Sequence, residues 1–222
     1  MMKIKAIITG STGMVGEGVL HVCLNSPKVE SVLVVNRRSC GIDHPKLKEI
    51  IHKDFMDLIA VEESLQGYNT CYFCSGVSSV GKKEDEYRKI TCDLTMNFAE
   101  TFLKINHDCF FAYVSGSGTD STEKGKLAWA RIKGKTENDI LKLGFRDSYA
   151  YRPGYIEPYK GQNKAYKVYK FFSPIYPLLE KLFPKYVGTM EELGNSMINV
   201  TLKSYSKKVL EVADIRETSK NK

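Results

Sequence analysis

The sequence predicts an α/β fold, a doubly wound parallel sheet with helices on both faces. Three observations predict it. Short β-rich runs alternate with helix-periodic runs from the N-terminus to Arg152. Val32–Val35 is apolar at consecutive positions, as in strands buried on both sides of a parallel sheet. A glycine-rich turn joins the first strand to the first helix. Alternation of this kind implies right-handed crossovers between parallel strands.

The elements follow in order. Ile4–Thr9 is a short strand, and Met14–Leu24 sets Val15, Val19, Leu20, Val22 and Cys23 at helical spacing. Val29–Asn36 is the second strand, Lys48–His52 a weaker third and Thr70–Cys74 a fourth. Glu84–Lys104 is a long amphipathic helix with Ile90, Leu94, Phe98 and Leu103 among its apolar positions. Phe110–Ser115 is the fifth strand, Leu127–Leu143 a helix stopped by Gly144, and Ser148–Arg152 the sixth strand. Beyond Arg152 the texture changes. With Pro153 counted, Tyr155–Pro184 holds five of the seven prolines and many aromatics. Prolines forbid one long helix, so residues 155–190 read as a small C-terminal helical cap on a single domain spanning 1–222. Thr189 and Glu192 form a capping-box pattern for a helix to about Leu202, Lys208–Ile215 reads as a final strand, and the tail Glu217–Lys222 as frayed.

Composition narrows the function classes. The longest uncharged run, Ser64–Gly81, is 18 residues broken by Gln66, Gly67, Asn69 and serines, which is not a membrane span. The N-terminus goes straight into a strand without the pattern of a signal peptide. The six cysteines sit inside apolar runs and read as reduced core thiols of a cytoplasmic protein. Cys71 and Cys74 form a CxxC on a strand with no second pair and no histidine pair near, so no metal is expected. The net charge of +7 suits an anionic ligand, but the basic residues are dispersed and no nucleic-acid-reading motif stands out.

The sharpest local signal is TGSTGMVG at Thr9–Gly16, following a strand and opening a helix. Gly10 permits a tight turn, Gly13 a close backbone approach to a pyrophosphate, and Gly16 close helix–strand packing. Ser11, Thr12, Met14 and Val15 complete the loop, whose helix N-terminus offers N–H groups to phosphates. This is a Rossmann-type dinucleotide site. At the end of the second strand stand Asn36, Arg37 and Arg38. Two arginines and no acid favour the 2′-phosphate of NADP over the ribose hydroxyl of NAD.

The ordered set of motifs resembles the short-chain dehydrogenase/reductase superfamily, in its epimerase/dehydratase-like, atypical branch, among small members related to the Tat-interacting oxidoreductase-like proteins. TGSTGMVG looks like that branch's TGxTGxxG. Asp54-Phe55 resembles its adenine-contacting acid and neighbour, and Cys74-Ser75-Gly76 the backbone passing the cofactor ribose. Thr91–Asn97 resembles the helix V-N-x-x-G-T-x-N, with Thr91 at its first Asn. Tyr113-Val114-Ser115 resembles the strand ending in the catalytic Ser, and Tyr151-Arg152-Pro153-Gly154, with Tyr155 following, the R-P-G beside the nicotinamide. The resemblance implies an NADP-dependent oxidoreductase or epimerase-like enzyme in which Ser115 holds the substrate oxygen and Lys133 the cofactor ribose.

The departure lies on the helix after Ser115. The superfamily catalyses with Y-x-x-x-K, whereas this chain reads Trp129-Ala130-Arg131-Ile132-Lys133. Lys133 is in place and Trp129 occupies the tyrosine position. An indole N–H donates a hydrogen bond but does not ionise usefully near neutrality. Ser117, Tyr155 and Tyr87 are the other hydroxyls that could reach inward. The alternative reading is a non-catalytic NADPH sensor or scaffold whose cap meets a protein partner or a second copy.

Overall fold

A computed structural model of the chain describes residues 3–162 and 176–220. Nine strands and eight helices follow one another among the described residues: β1 (Ile4–Thr9), α1 (Met14–Asn25), β2 (Val29–Asn36), β3 (Leu47–Ile51), α2 (Glu62–Leu65), β4 (Thr70–Phe73), α3 (Glu84–Arg88), α4 (Leu94–Ile105), β5 (Phe110–Val114), α5 (Ala128–Ile140), β6 (Asp147–Arg152), β7 (Tyr155–Glu157), α6 (Tyr176–Leu182), β8 (Val187–Thr189), α7 (Met190–Leu202), β9 (Val209–Glu211) and α8 (Val212–Ser219). Seven strands form one parallel sheet in the order β3-β2-β1-β4-β5-β6-β9. This is the Rossmann-like arrangement. The order reverses between β1 and β4, and ligands of such sheets bind beyond the strand C-termini at that crevice.

Strand alternation sorts the core into two layers. Ile4, Ala6 and Ile8 of β1 and Val32 and Val34 of β2 pack with α1 and α7. Ile7, Leu33 and Val35, the intervening residues, pack with Phe98 and Phe102 of α4 and Ile140 of α5. A strand covered by helices on both faces must be apolar at every position, which is why Val32–Val35 lacks alternation.

Three local readings differ from the sequence expectation. Lys208–Ile215 is a three-residue strand followed by a helix. Glu211 caps that helix reciprocally with Asp214, a box hidden in an apolar, β-branched stretch. The long helix of the middle segment contains a π turn at Lys89–Asp93 between α3 and α4, and this turn carries Thr91. The capping region adds a two-stranded parallel sheet, β7 with β8, paired from Tyr155↔Val187 to Glu157↔Thr189. The expected cap over 155–190 falls partly outside the described residues; what is described of it is β7, α6 and β8. The Thr189–Glu192 capping box opens α7 as the sequence indicates. Among the described residues no helix is long and apolar enough to cross a membrane.

Candidate dinucleotide and substrate site

The turn after β1 is built by backbone, not side chains. Gly10 adopts φ +70°, and a Cβ there would lie 2.8 Å from the carbonyl of Cys74 and the Cα of Ser75. At Gly16 a Cβ would meet the Gly10 carbonyl oxygen at 2.3 Å, so only glycine lets α1 sit this close to the loop. Gly13 caps α1 with no side-chain hydrogen bond, which leaves the first-turn N–H groups to an anion. The loop therefore has the shape and the donors for a pyrophosphate. Gly13→Asp separates binding from folding. A Cβ at Gly13 would meet nothing closer than 3.4 Å, and Asp is a favoured N-cap. The variant is expected to keep its melting temperature within a few degrees and to lose NAD(P)H binding by about 10²-fold or more, since a carboxylate would face the phosphates. Unchanged affinity in calorimetry would remove the loop from the site.

At the neighbouring crevice, Asn36 is buried and its Nδ2 donates to Ser11 Oγ at 2.8 Å and to Glu49 Oε1 at 3.1 Å. Its Oδ1 is buried without a hydrogen-bond partner among the described residues. Burial works against ionisation of Glu49, but bonds from Ser39, the Cys40 backbone and Asn36 outweigh it and hold this carboxyl below its ordinary value. Arg37 and Arg38 are exposed and make no ion pair among the described residues. Phe55 is buried against Phe98, its ring 5.9 Å away, and its carbonyl accepts from Asn97. Asp54 is exposed and turns one oxygen to the Met56 N–H. Cys74, Ser75 and Gly76 pass beside the glycine turn, Ser75 N–H donating to Thr9 Oγ1 at 3.3 Å. Burial pushes the Cys74 thiol up to about 12 and Cys71 well above its ordinary value, so the CxxC pair carries protonated thiols.

At the C-terminal end of β5, Lys133 of α5 donates its ammonium to the Ser115 carbonyl. Burial lowers the Lys133 pKa, with Glu137 pulling it back up. Ser115 is buried: its hydroxyl donates to Glu137, with the Tyr151 carbonyl 3.1 Å away. Glu137 is fully buried and takes a bidentate pair from Arg152, Nε at 2.9 Å and Nη2 at 2.5 Å. Arg152 also reaches Glu211 at 3.2 Å and Ser121. The exposed hydroxyl at this strand end is that of Ser117, whose N–H donates to the Pro153 carbonyl. Ser115 and Arg152 thus meet one another through Glu137, and Ser115, Ser117, Trp129 and Lys133 line one open cleft of about 840 Å³.

The other wall of this cleft comes from the cap. Pro153, Tyr155, Leu179, Phe183, Tyr186 and Val187 line it. Gly154 lets the chain pass the Tyr186 carbonyl, which a Cβ would approach to 2.2 Å, and Tyr155 N–H donates to that carbonyl. The Tyr155 hydroxyl oxygen is buried. Trp129 packs beside Tyr87 and Ile132 and over Gly118, where a Cβ would lie 3.3 Å from the ring. Thr91 is buried in the π turn, on the same side. Sequence reasoning did not single out Glu137. Its signal was one turn beyond Lys133: an acid on the buried face of an otherwise amphipathic helix needs a buried cation.

Comparison with known proteins places this geometry in context. The model of the NAD dependent epimerase/dehydratase family matches residues 6–129. The mitochondrial protein FMP52 of Meyerozyma guilliermondii is 24% identical over 98% of this chain and 94% of that protein. The mitochondrial protein FMP52 of Debaryomyces hansenii is 27% identical over 88% of this chain and 86% of its own length. The fold is also similar to a UDP-N-acetylglucosamine 4-epimerase of Methanobrevibacter ruminantium in complex with UDP-N-acetylmuramic acid (TM-score 0.66, 15% identity, 98% of this chain and 81% of the other). It resembles as well the Bordetella bronchiseptica enzyme WbmF in complex with NAD+ (TM-score 0.65, 13% identity, 97% and 77%). The fungal relatives are named as mitochondrial, which overturns the cytoplasmic placement read from the cysteines. Reduced core thiols are equally compatible with the mitochondrial matrix or surface, so cysteine usage could not decide.

Proposed function

This chain belongs to the NAD dependent epimerase/dehydratase family, and from that premise we propose that it is an NADP-preferring oxidoreductase of mitochondria working on a small-molecule carbonyl or alcohol. The observation that carries the reading is Lys133, half-buried and facing the cleft, its ammonium fixed at the end of β5 beside the exposed Ser117. A dinucleotide on the Gly10–Gly16 loop would take its phosphates on the α1 N-terminus, its adenosine at Asn36 and Asp54 and its ribose hydroxyls on Lys133. When bound, the nicotinamide supplies two-electron redox chemistry. Ser117 takes the oxygen-holding role expected of Ser115, because the Ser115 hydroxyl is already committed to Glu137. Trp129 orients by packing and exchanges no proton.

The cofactor preference rests on Arg37 and Arg38. Replacing both with alanine is expected to weaken NADPH by about tenfold to a few hundredfold and NADH by less than threefold, each charge-assisted contact being worth about 1.5–3 kcal/mol in partly buried settings and less at this exposed site. Equal loss for the two cofactors would show that the arginines do not read the 2′-phosphate.

Trp129 favours a second reading, a protein that binds NADPH without turnover and signals or scaffolds. Fluorescence titration with NADPH followed by a carbonyl panel separates the two. Tight binding with no oxidation of NADPH by any carbonyl supports the sensor.

A further inference from the structure

The cleft between Trp129 and the cap has a chemical character that restricts what can enter it. Its described lining carries a single charge, Lys133, and no carboxylate, arginine or histidine. Trp129, Phe183, Tyr186 and Tyr155 present aromatic rings, with Leu179, Val187 and Pro153 between them. Such a surface offers stacking and apolar contact to a flat ring system and only one cation for a diphosphate.

Proton supply restricts it further. Ketone reduction generates an alkoxide, far more basic than a phenolate, which needs a proton donor in place. The position one turn before Lys133 holds an indole that cannot serve. Tyr155 and Tyr186 come from the opposite wall, the first with its hydroxyl oxygen buried. A quinone is different. Its two-electron reduction takes a hydride from a reduced nicotinamide, with the electron pair spreading into the ring. The oxygen left charged is a phenolate, with a pKa of about 10. Lys133 and the Ser117 hydroxyl face the cleft and can hold that charge until one proton arrives from water. The quinone is reduced to a hydroquinone, the nicotinamide is oxidised, and no protein acid is consumed.

We propose that this site accepts uncharged, planar aromatic carbonyls of the quinone class and excludes nucleotide sugars. The proposal rests on the oxidoreductase reading above and narrows it.

Trp129 is the only tryptophan of the chain, so its fluorescence reports this cleft alone. The intact protein is titrated with duroquinone, whose ring methyls block addition of thiols, beside N-acetyltryptophanamide as the collisional reference. Quenching that saturates for the protein and stays linear for the reference is expected, without cofactor present. Phe183→Ser is expected to weaken the half-saturation point about tenfold, the order set by losing one aromatic contact. UDP-N-acetylglucosamine is expected to give no saturable change. With NADPH, duroquinone is expected to be turned over at least 10²-fold faster than cyclohexanone. Saturable binding of the nucleotide sugar, linear quenching by duroquinone, or cyclohexanone matching duroquinone would each overturn the proposal. NADPH binding, measured separately by calorimetry, tests the oxidoreductase reading itself: its absence alongside saturable quinone binding would sink that reading and leave the character of the cleft standing.

Discussion

Glu137→Ala is expected to lower the free energy of unfolding in urea by about 3–5 kcal/mol, the largest loss from any single change at this site. The carboxylate is fully buried on α5 and accepts three hydrogen bonds, two from Arg152 nitrogens and one from the Ser115 hydroxyl. Removing it strands a guanidinium whose side chain is only 11% exposed and whose remaining acid, Glu211, is half exposed at 3.2 Å. The cost is that of an unpaired buried charge more than that of a lost bond. Two comparisons separate these. Glu137→Gln retains an acceptor oxygen and is expected to lose less. Glu137→Ala with Arg152→Met removes both charges and is expected to be more stable than Glu137→Ala alone. A loss below about 1 kcal/mol for Glu137→Ala would show that water or Glu211 compensates Arg152, and that α5 is not pinned to β6 through this pair. Lys133 lies one turn before Glu137 on the same helix, so the pin also fixes where Lys133 emerges into the cleft.

How much of this could be read in the sequence depends on how local each cause is. The glycine loop was legible because its causes are local: a strand, three glycines at fixed spacing and a helix start. The sheet was legible because Val29–Asn36 and Phe110–Val114 are apolar at adjacent positions, which burial on both faces requires. Glu211–Asp214 was misread because a capping box within Val-Leu-Glu-Val-Ala-Asp-Ile looks like strand until the hydrogen bonds are known. Which of Ser115 and Ser117 is buried and which exposed could not be read at all. Two residues apart on one strand end, they differ only in which way the chain turns after β5. That turn is fixed by Gly116 at φ +128° and by the bond from Ser117 N–H to the Pro153 carbonyl, a partner 36 residues further on. The cleft was equally hidden, since its far wall is set by the pairing of β7 with β8.

Trp129→Tyr is expected to raise NADPH-dependent reduction of cyclohexanone by about 10²–10⁴-fold, the usual worth of a placed general acid, and to change duroquinone reduction by less than tenfold. The asymmetry follows from the basicity of the two products. An alkoxide gains from a phenol held near it, whereas a phenolate is already stable enough to await a proton from water. The position is suited to the exchange. Trp129 and Lys133 stand one turn apart on α5 and both line the cleft, so a tyrosine there would have its hydroxyl beside an ammonium that favours the ionised form. The phenol is smaller than the indole, and the contacts to be given up are with Tyr87, Ile132 and Gly118, so packing loss is expected to be about 1–2 kcal/mol. Trp129→Phe is the control: it makes a similar packing change without a hydroxyl and is expected to leave the ketone rate at background. If Trp129→Tyr stayed at background with NADPH and duroquinone still bound, residue 129 would be too far from the reacting oxygen for a phenol to matter. If Trp129→Phe rose as much as Trp129→Tyr, the gain would come from the space the indole vacates and not from a proton donor.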